Sequence, residues 1–340
     1  MTRREFVGGA LAAAGAGALG MSAAGAAKPG DIRAVYLSIG TGMWWSEYCE
    51  YKGRMIVHEP TWRRLTASIA EKGLNMLVID IGEAVMWPSH PEISCPGAWS
   101  VEKLRAELSR LRSMGIEPIP KLNFSTTHNF WLGEYRWMCS TRKYFEVCDD
   151  LVRDITDMFD RPRFLHIGFD EEKALAQGGC DLAIARGHDR WYHDLCEHVR
   201  SCEAHGARAW MWSDRGWHDK DFVKRCPKSV LQSNWYYDED LQGFDPAQAN
   251  EEFASRLNLL ASLDKAGFDQ VPCGSNWKSA IQRGSKIKSN RSMLELMRLC
   301  RDTIDPSRLK GFLMAPWSTL NEAGEKELQE GIDIFAEAYA

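Results

Sequence analysis

The sequence lacks the features that mark several common protein classes. Its ten cysteines are irregularly spaced, with no Cys-x-x-Cys pair and no pattern typical of zinc ligands. Basic residues number 42 against 47 acidic ones and form no stripe that would favour nucleic acid as a partner. After residue 30 the sequence contains no internal repeat, no low-complexity linker and no run approaching about 18 apolar residues. We therefore expect one soluble domain without a membrane span.

The first thirty residues differ in composition from the rest. Arg3 and Arg4 precede a short apolar run rich in Ala, Gly and Leu, and Ala24-Gly25-Ala26 offers a small-x-small cleavage site. This order is typical of a twin-arginine export signal, whereas a membrane anchor or a plain helix is the alternative. The apolar run is too short and too rich in Ala and Gly to span a bilayer well. We expect residues 1–26 to engage the twin-arginine export machinery and the mature domain, residues 31–340, to be periplasmic or extracellular.

Export through this pathway also bears on the cysteines. An oxidising compartment would allow some of them to pair. A chain that folds before export does so in the reducing cytoplasm, which favours buried free thiols. Without residues 1–26 the chain carries 40 basic and 46 acidic residues, a mild net charge of −6.

Eight short apolar runs alternate with amphipathic stretches along the chain. Helix-like patterns lie between most of the runs, and Gly73, Gly115, Gly206 and Gly267 stand where helix C-terminal caps belong. The runs cover residues 34–39, 76–81, 117–122, 164–168, 207–212, 230–234, 269–273 and 311–316. This alternation predicts an α/β fold, a single (β/α)8 TIM barrel. An open doubly wound sheet is the alternative, but no glycine-rich dinucleotide loop follows the first run.

The fourth run ends in three consecutive carboxylates. In a barrel of this type the active site lies at the carboxyl ends of the strands, where Asp170, Glu171 and Glu172 stand. His166, Gly168 and Asp170 share one face of an extended strand, and Glu171 lies where the strand gives way to the loop. Crowded carboxylates should raise one pKa, as a general acid requires. The alternative is a helix N-terminus, where acidic residues are also favourable.

Tryptophan is abundant near the other strand ends. The chain has 14, and every run except the fourth is followed by at least one. These residues are Trp44, Trp45, Trp87, Trp131, Trp212, Trp217, Trp235, Trp277 and Trp317. Flat apolar rings suit the C–H faces of sugars, and the indole N–H can bond hydroxyls, although each Trp alone is more often core packing. The set as a whole favours a carbohydrate pocket.

Polar residues accompany the tryptophans at the same strand ends. They are Asp80, Glu83, Lys121, Asn123, His128, Asp214, Asn234, Tyr236, Asp238 and Asn276. Such side chains can bracket sugar hydroxyls or satisfy loop backbone groups instead.

The segment from His166 to Glu171 resembles the His-x-Gly-Gly-Asp-Glu signature of glycoside hydrolase family 20, the β-N-acetylhexosaminidases. Three later segments are similar to landmarks of that family in the same order: Trp212-Ser213-Asp214, Trp235-Tyr236-Tyr237-Asp238 and Gly311 through Trp317. The resemblance covers a little more than half of the chain.

This resemblance implies a mechanism and a set of site residues. Glu171 would be the general acid/base, and Asp170 would orient the substrate's 2-acetamido group, whose oxygen acts as the nucleophile. Tyr236 would bond that oxygen, and Trp212, Trp235 and Trp317 would wall the sugar site. His166, His128, Asp214, Asp238 and Trp277 complete the candidate substrate-binding set. The resemblance implies a glycan or oligosaccharide substrate and no metal or organic cofactor.

The chain also departs from the family pattern. The family expects an Arg near the end of the first strand, but residues 38–42 contain none. The segment after the third run keeps only His128, and Phe169 replaces the second Gly of the signature. Two other interpretations therefore stay open: a glycosidase in which Glu171 or Glu172 pairs with Asp214 or Glu83, and a sugar-binding barrel without catalysis. A metal hydrolase is disfavoured, because the five-residue spacing of His188, His193 and His198 scatters them around a helix.

Overall fold

The computed structural model describes residues 31–40, 55, 57–177, 180, 182–237, 241, 251–277 and 291–339, without the side chains of residues 252, 253, 291 and 292. Strands are β1 (Ile32–Ser38), β2 (Met76–Asp80), β3 (Glu117–Lys121), β4 (Phe164–His166), β5 (Arg208–Trp212), β6 (Leu231–Ser233), β7 (Cys273–Gly274) and β8 (Gly311–Met314). Helices are α1 (Glu59–Glu71), α2 (Val101–Ser113), α3 (Arg142–Met158), α4 (His188–Ala204), α5 (Phe222–Arg225), α6 (Glu251–Lys265), α7 (Arg291–Thr303) and α8 (Glu325–Tyr339).

The strands form one parallel sheet that curves into a barrel. Its order is β6-β5-β4-β3-β2-β1-β8-β7, with β1 pairing both β2 and β8. Isolated bridges from Gln232 to Gln270 and from Trp235 to Cys273 join the remaining edges. Because parallel strands need crossover connections, helices cover the outside of the sheet. The predicted (β/α)8 barrel is confirmed.

Strand alternation divides the core into two layers. On β5, Trp210 and Trp212 belong to the layer inside the barrel, whereas Met211 belongs to the layer between strands and helices. The strand period of two residues produces this division. Each of the eight runs named from the sequence overlaps a strand, although the seventh, residues 269–273, shares only Cys273 with β7. The sequence patterns missed α8 and the single-turn helix α5.

Helix termini follow local sequence rules. Ser100 and Thr141 cap α2 and α3 by accepting bonds from the backbone N–H groups of Lys103 and Tyr144.

The cysteines and the N-terminal segment bear on the expected compartment. Eight cysteines in the described part of the chain are free thiols, six of them buried, and Cys180 is disulfide-bonded. Residues 1–30, which hold the expected signal peptide, lie outside the described residues. Within the described ranges, no helix combines the length and apolarity that crossing a membrane requires.

Candidate active site

A strained turn after β4 presents the acidic residues. Gly168, Phe169 and Glu171 have φ values of 71°, 72° and 53°, in the left-handed region that L-residues rarely adopt. A Cβ atom on Gly168 would lie 2.0 Å from Asn123 Oδ1, so only glycine fits there. Phe169 tolerates its conformation because its ring is buried, with Trp191 at 5.4 Å and the Arg186 guanidinium at 4.6 Å.

Loop β3–α3 holds this turn in place. The Asn123 amide donates to Asp170 Oδ1 at 2.8 Å, and the Ser125 hydroxyl donates to the Asp170 carbonyl at 2.5 Å. Thr127 Oγ1 donates to the Glu171 carbonyl at 2.9 Å. His128 Nε2 lies 3.4 Å from Asp170 Oδ2 and 3.3 Å from Glu171 Oε2. The structure therefore brings Asp170, Glu171 and His128 together as one charged group.

The electrostatics of this group favour an ion pair. Burial opposes protonation of His128, but the Asp170 and Glu171 carboxylates outweigh it and raise the pKa of the imidazole. The hydrogen bond with His128 lowers the pKa of Glu171, whose side chain is 50% exposed. Between these two pKa values His128 therefore carries the proton and Glu171 is the carboxylate. The donor atoms of His128, Asp170 and Glu171 lie within 4.8 Å of one another, a spacing that would also suit a metal ion.

Asp214, at the end of β5, bears the raised pKa. Its Oδ2 accepts a hydrogen bond from the Glu171 backbone N–H at 2.9 Å, which stabilises the left-handed turn. The residue is buried, and burial together with the charges of Asp170 and Glu171 raises its pKa to about 7. One carboxyl pKa near the turn is therefore raised, that of Asp214, whereas the pKa of Glu171 is lowered.

Glu172 has a structural partner. Its carboxylate forms a buried ion pair with Arg186, whose Nε donates to Oε1 at 2.7 Å and whose Nη2 also donates to the Phe124 carbonyl at 3.0 Å. Burial disfavours the charged guanidinium, but Glu172 outweighs this and raises the pKa of Arg186. The Thr126 N–H donates to Glu172 as well, at 3.3 Å. This brace joins the loops after β3 and β4, so Glu172 is unavailable as a member of a catalytic pair.

Buried polar residues form the floor of the barrel mouth. Asp80 accepts hydrogen bonds from the Tyr36 hydroxyl at 2.8 Å and from the Lys121 ammonium, which is fully buried. His166, also fully buried, accepts the Gly168 N–H at Nδ1. Burial, reinforced by the positive charge of Lys121, holds the pKa of His166 well below its usual value. His166 is therefore uncharged and packs beneath the site.

Aromatic rings surround this floor. Trp212 lies 4.5 Å from the His166 ring and 6.0 Å from Trp317, which packs 4.6 Å from Tyr36. Trp235 stacks on Tyr237 at 4.8 Å, and Tyr237 lies 6.5 Å from Trp317. The predicted Trp212, Trp235 and Trp317 thus belong to one aromatic wall.

Alternation along the end of β6 assigns the two tyrosines to different layers. Tyr236 packs in the layer between strands and helices, Tyr237 packs against the inner layer, and Trp235 contacts both. Burial raises the pKa of Tyr237, and Cys273, Glu171 and Asp170 add to the effect, which places its hydroxyl within the field of the acids. The structure therefore brings Tyr237, rather than the expected Tyr236, to the mouth. The period of two residues counted from Trp235 would have indicated this.

The remaining expected residues have varied surroundings. Trp87 and Trp131 are buried in the outer layer, and their indole N–H groups donate to backbone carbonyls. Trp217 is mostly buried against Trp235, and Trp277 is 39% exposed. Glu83 is fully buried. Trp44, Trp45 and Asp238 lie outside the described residues. Of the residues that hold the site together, Arg186 and Ser125 carried no sequence signal.

No protein-family model matches the sequence, and no curated protein matches it by sequence. Solved structures do match. A GH20 exo β-N-acetylglucosaminidase from Vibrio harveyi, in complex with N-acetylglucosamine, is 14% identical, with a TM-score of 0.56 over 90% of this chain and 54% of that one. A β-N-acetylhexosaminidase from Bacteroides fragilis is 12% identical, with a TM-score of 0.61 over 90% of this chain and 65% of that one.

A GH20 β-N-acetylhexosaminidase from Streptomyces coelicolor is 12% identical, with a TM-score of 0.61 over 89% of this chain and 63% of that one. At such identities the similarity establishes a common barrel fold. The chain spans between about half and two thirds of the length of these three proteins.

Proposed function

We propose that this protein is a glycoside hydrolase of the β-N-acetylhexosaminidase type, which cleaves with retention and with assistance from the substrate. The observation that carries the proposal is the Asp170–Glu171 pair, held on a strained turn with His128 Nε2 at 3.4 and 3.3 Å. The pair lies at the carboxyl end of β4 in a barrel whose structural neighbours are named β-N-acetylhexosaminidases or β-N-acetylglucosaminidase.

Each acid has a separate task in the proposed reaction. Glu171 donates a proton to the glycosidic oxygen while the acetamido oxygen of the substrate attacks C1, so that the glycosidic bond breaks and an oxazoline forms. Asp170, fixed by Asn123, accepts the acetamido N–H and stabilises the developing positive charge. Glu171 then takes a proton from water as the water oxygen attacks C1. The bond from C1 to the acetamido oxygen breaks, which restores the acetamido group and gives a product of retained configuration.

His128 supplies the proton in the free enzyme. Its pKa is raised and that of Glu171 is lowered, so the shared proton resides on the imidazole before substrate binds. A sugar that covers the half-exposed Glu171 would exclude water, which disfavours the carboxylate and moves the proton to Glu171.

The aromatic wall and the polar floor suit one sugar ring. Trp212, Trp235 and Trp317 offer apolar faces, and Tyr237 offers a hydroxyl near the acids for the acetamido oxygen. Asp80 at the floor, fixed by Lys121, offers a carboxylate that can accept hydrogen bonds from ring hydroxyls.

We extend the proposal to export. Residues 1–26 act as the twin-arginine signal peptide, and the barrel of residues 31–340 works in the periplasm or outside the cell.

Hydrolysis of a panel of aryl glycosides tests the proposal. The panel pairs β-N-acetylglucosaminide and β-N-acetylgalactosaminide with the corresponding sugars that carry a 2-hydroxyl. We expect activity on the N-acetyl sugars alone, and a loss of about 100-fold or more in kcat for Glu171→Gln and Asp170→Asn. The exposed carboxylates Glu146 and Asp189, changed to Gln and Asn, serve as matched controls and should leave kcat unchanged. Absence of hydrolysis across the panel contradicts the proposal and favours a sugar-binding barrel.

One observation favours a second candidate, a glycosidase with two protein carboxyls. Asp214 has a pKa of about 7, so it is protonated in mildly acidic solution beside the ionised Glu171. Such a pair would provide an acid and a nucleophile without an acetamido group. Activity on the 2-hydroxy sugars, abolished in Asp214→Asn, would support this candidate over the first.

A further inference from the structure

Trp217 adjoins Trp235 of the aromatic wall, and a cation from α6 lies over both rings. The two indoles meet edge to face at 4.4 Å, with an angle of 68° between their planes. The guanidinium carbon of Arg256, in the second turn of α6, lies 4.4 Å from the Trp217 centroid and 5.4 Å from that of Trp235. Both distances fall within the range of about 6 Å over which a cation is attracted to the face of an aromatic ring.

A buried amide fixes the backbone of Arg256 relative to these rings. Asn234, which follows β6, accepts the Trp217 indole N–H at 2.8 Å and donates to the Arg256 carbonyl at 2.6 Å. Gly216 allows α6 to approach closely, because a Cβ atom at this position would lie 2.8 Å from the Leu259 side chain. The backbone that carries the guanidinium is therefore bonded to the same side chain as one of the rings that the guanidinium contacts.

Trp235 connects this contact to Tyr237. The two rings stack at 4.8 Å with an angle of 21° between their planes, and the hydroxyl of Tyr237 lies within the field of the acids. The hydrogen bond with His128 is the main cause of the lowered pKa of Glu171, and the positive charge of Arg256 adds to that effect. Arg256 therefore contacts the ring next to Tyr237 and lies within electrostatic reach of Glu171.

We propose that Arg256 is a positioning residue that, through Trp235, holds the Tyr237 hydroxyl against the acetamido oxygen of the sugar. This inference rests on the proposed function, which brings that oxygen to Tyr237. A cation–π contact is strongest with the cation over the ring face, so Arg256 restricts sliding and tilting of the Trp235 indole. Without this restriction the stacked phenol moves as well, and a misplacement of about 1 Å can cost as much as about 100-fold in rate.

A double-mutant cycle tests whether Arg256 acts through Tyr237. Hydrolysis of an aryl N-acetyl-β-glucosaminide is measured for wild type, Arg256→Met, Tyr237→Phe and the double variant. We expect Tyr237→Phe to lower kcat/KM by about tenfold, the value of one hydrogen bond, and Arg256→Met by about three- to tenfold, the value of a cation–π contact. In the Tyr237→Phe background, Arg256→Met should add less than about twofold, because the hydroxyl to be positioned is absent. Equal losses in both backgrounds overturn the inference.

Further variants separate positioning from a general effect on folding. Arg256→Lys keeps a cation over the rings and should recover most of the loss in kcat/KM. Arg301→Met removes a similar contact, 5.5 Å from the Phe312 centroid in the outer layer, and should leave kcat/KM unchanged. If thermal unfolding shows that Arg256→Met does not fold, Arg256→Gln takes its place in the cycle with the same expectation. A Lys variant as impaired as Arg256→Met, or an equal loss in Arg301→Met, overturns the inference.

Calorimetry distinguishes failure of this inference from failure of the proposed function, because it measures binding without hydrolysis. N-acetylglucosamine is titrated into the four proteins of the cycle. A wild type that binds this sugar but cleaves no glycoside contradicts the proposed function alone. The inference is then supported if Arg256→Met weakens binding by about three- to tenfold when Tyr237 is present and not in the Tyr237→Phe background. Binding that Arg256→Met leaves unchanged, or a wild type that does not bind the sugar, overturns the inference.

Discussion

Asp214 makes the stability of the protein depend on pH in a calculable direction. The pKa of this buried carboxyl is raised from 3.8 to about 7. Between these values the folded protein keeps a proton that the unfolded chain has released, so stability falls as pH rises through this window. The shift of about three pH units corresponds to roughly 4 kcal/mol, at 1.36 kcal/mol per unit, as an order of magnitude.

Asp214→Asn should remove this dependence. The Asn carbonyl can still accept the Glu171 N–H, so the turn keeps its hydrogen bond while the titrating charge disappears. We expect the variant to gain stability relative to wild type from pH 4 to pH 7, so that the difference between their free energies of unfolding rises by up to about 4 kcal/mol. Above pH 7 the difference should be constant.

Urea unfolding at pH 4, 5.5, 7 and 8.5, followed by the fluorescence of the 14 tryptophans, measures this difference. Asp219→Asn provides a control of opposite sign. Burial alone would raise the pKa of Asp219, but hydrogen bonds from the Asp221 N–H, Tyr192 and Arg215 outweigh it and lower the pKa. The stabilisation that ionised Asp219 contributes is present above the ordinary pKa of an aspartate and is lost as pH falls through the lowered pKa of Asp219. A difference between Asp214→Asn and wild type that does not vary with pH would refute the reasoning.

Two further predictions concern residues around the strained turn after β4. Arg186→Met leaves Glu172 buried without its partner, so we expect a loss of about 3–5 kcal/mol in the free energy of unfolding. Adding Glu172→Gln should recover part of this loss. Additive effects of the two substitutions in a double-mutant cycle would argue against the ion pair as a brace. His128→Asn removes the imidazole whose pKa is raised, so the basic limb of the kcat/KM pH profile should move to lower pH, toward the range in which carboxyls titrate. A basic limb that does not move would show that His128 does not hold the proton.

Much of the scaffold was predictable because its signals are local. Each strand is an apolar run bounded by helix caps and glycines, and strand alternation depends only on position along the chain. The helix α8 follows the eighth run, beyond the intervals between runs that the helix-like patterns covered. The position of the Asp170–Glu171 pair at the barrel mouth follows from strand order alone, since parallel strands end on one face.

The charge distribution within the site was not predictable in the same way. Three adjacent acids have different surroundings: Asn123 holds Asp170, His128 contacts Glu171, and Arg186 neutralises Glu172. Asn123 and His128 come from the segment after β3, and Arg186 lies at the far end of the connection after β4 that also holds Glu172. The raised pKa belongs to Asp214, which follows a different strand.

The sequence by itself determined the barrel, the strand end that carries the acids and the aromatic character of the mouth, because apolar periodicity and capping act over a few residues. Only the tertiary structure decided that Tyr237 rather than Tyr236 faces the mouth, that Glu172 is a brace and that Asp214 retains a proton. Burial and electrostatic pairing join residues far apart in the chain, and their free energies depend on distances that no local pattern contains.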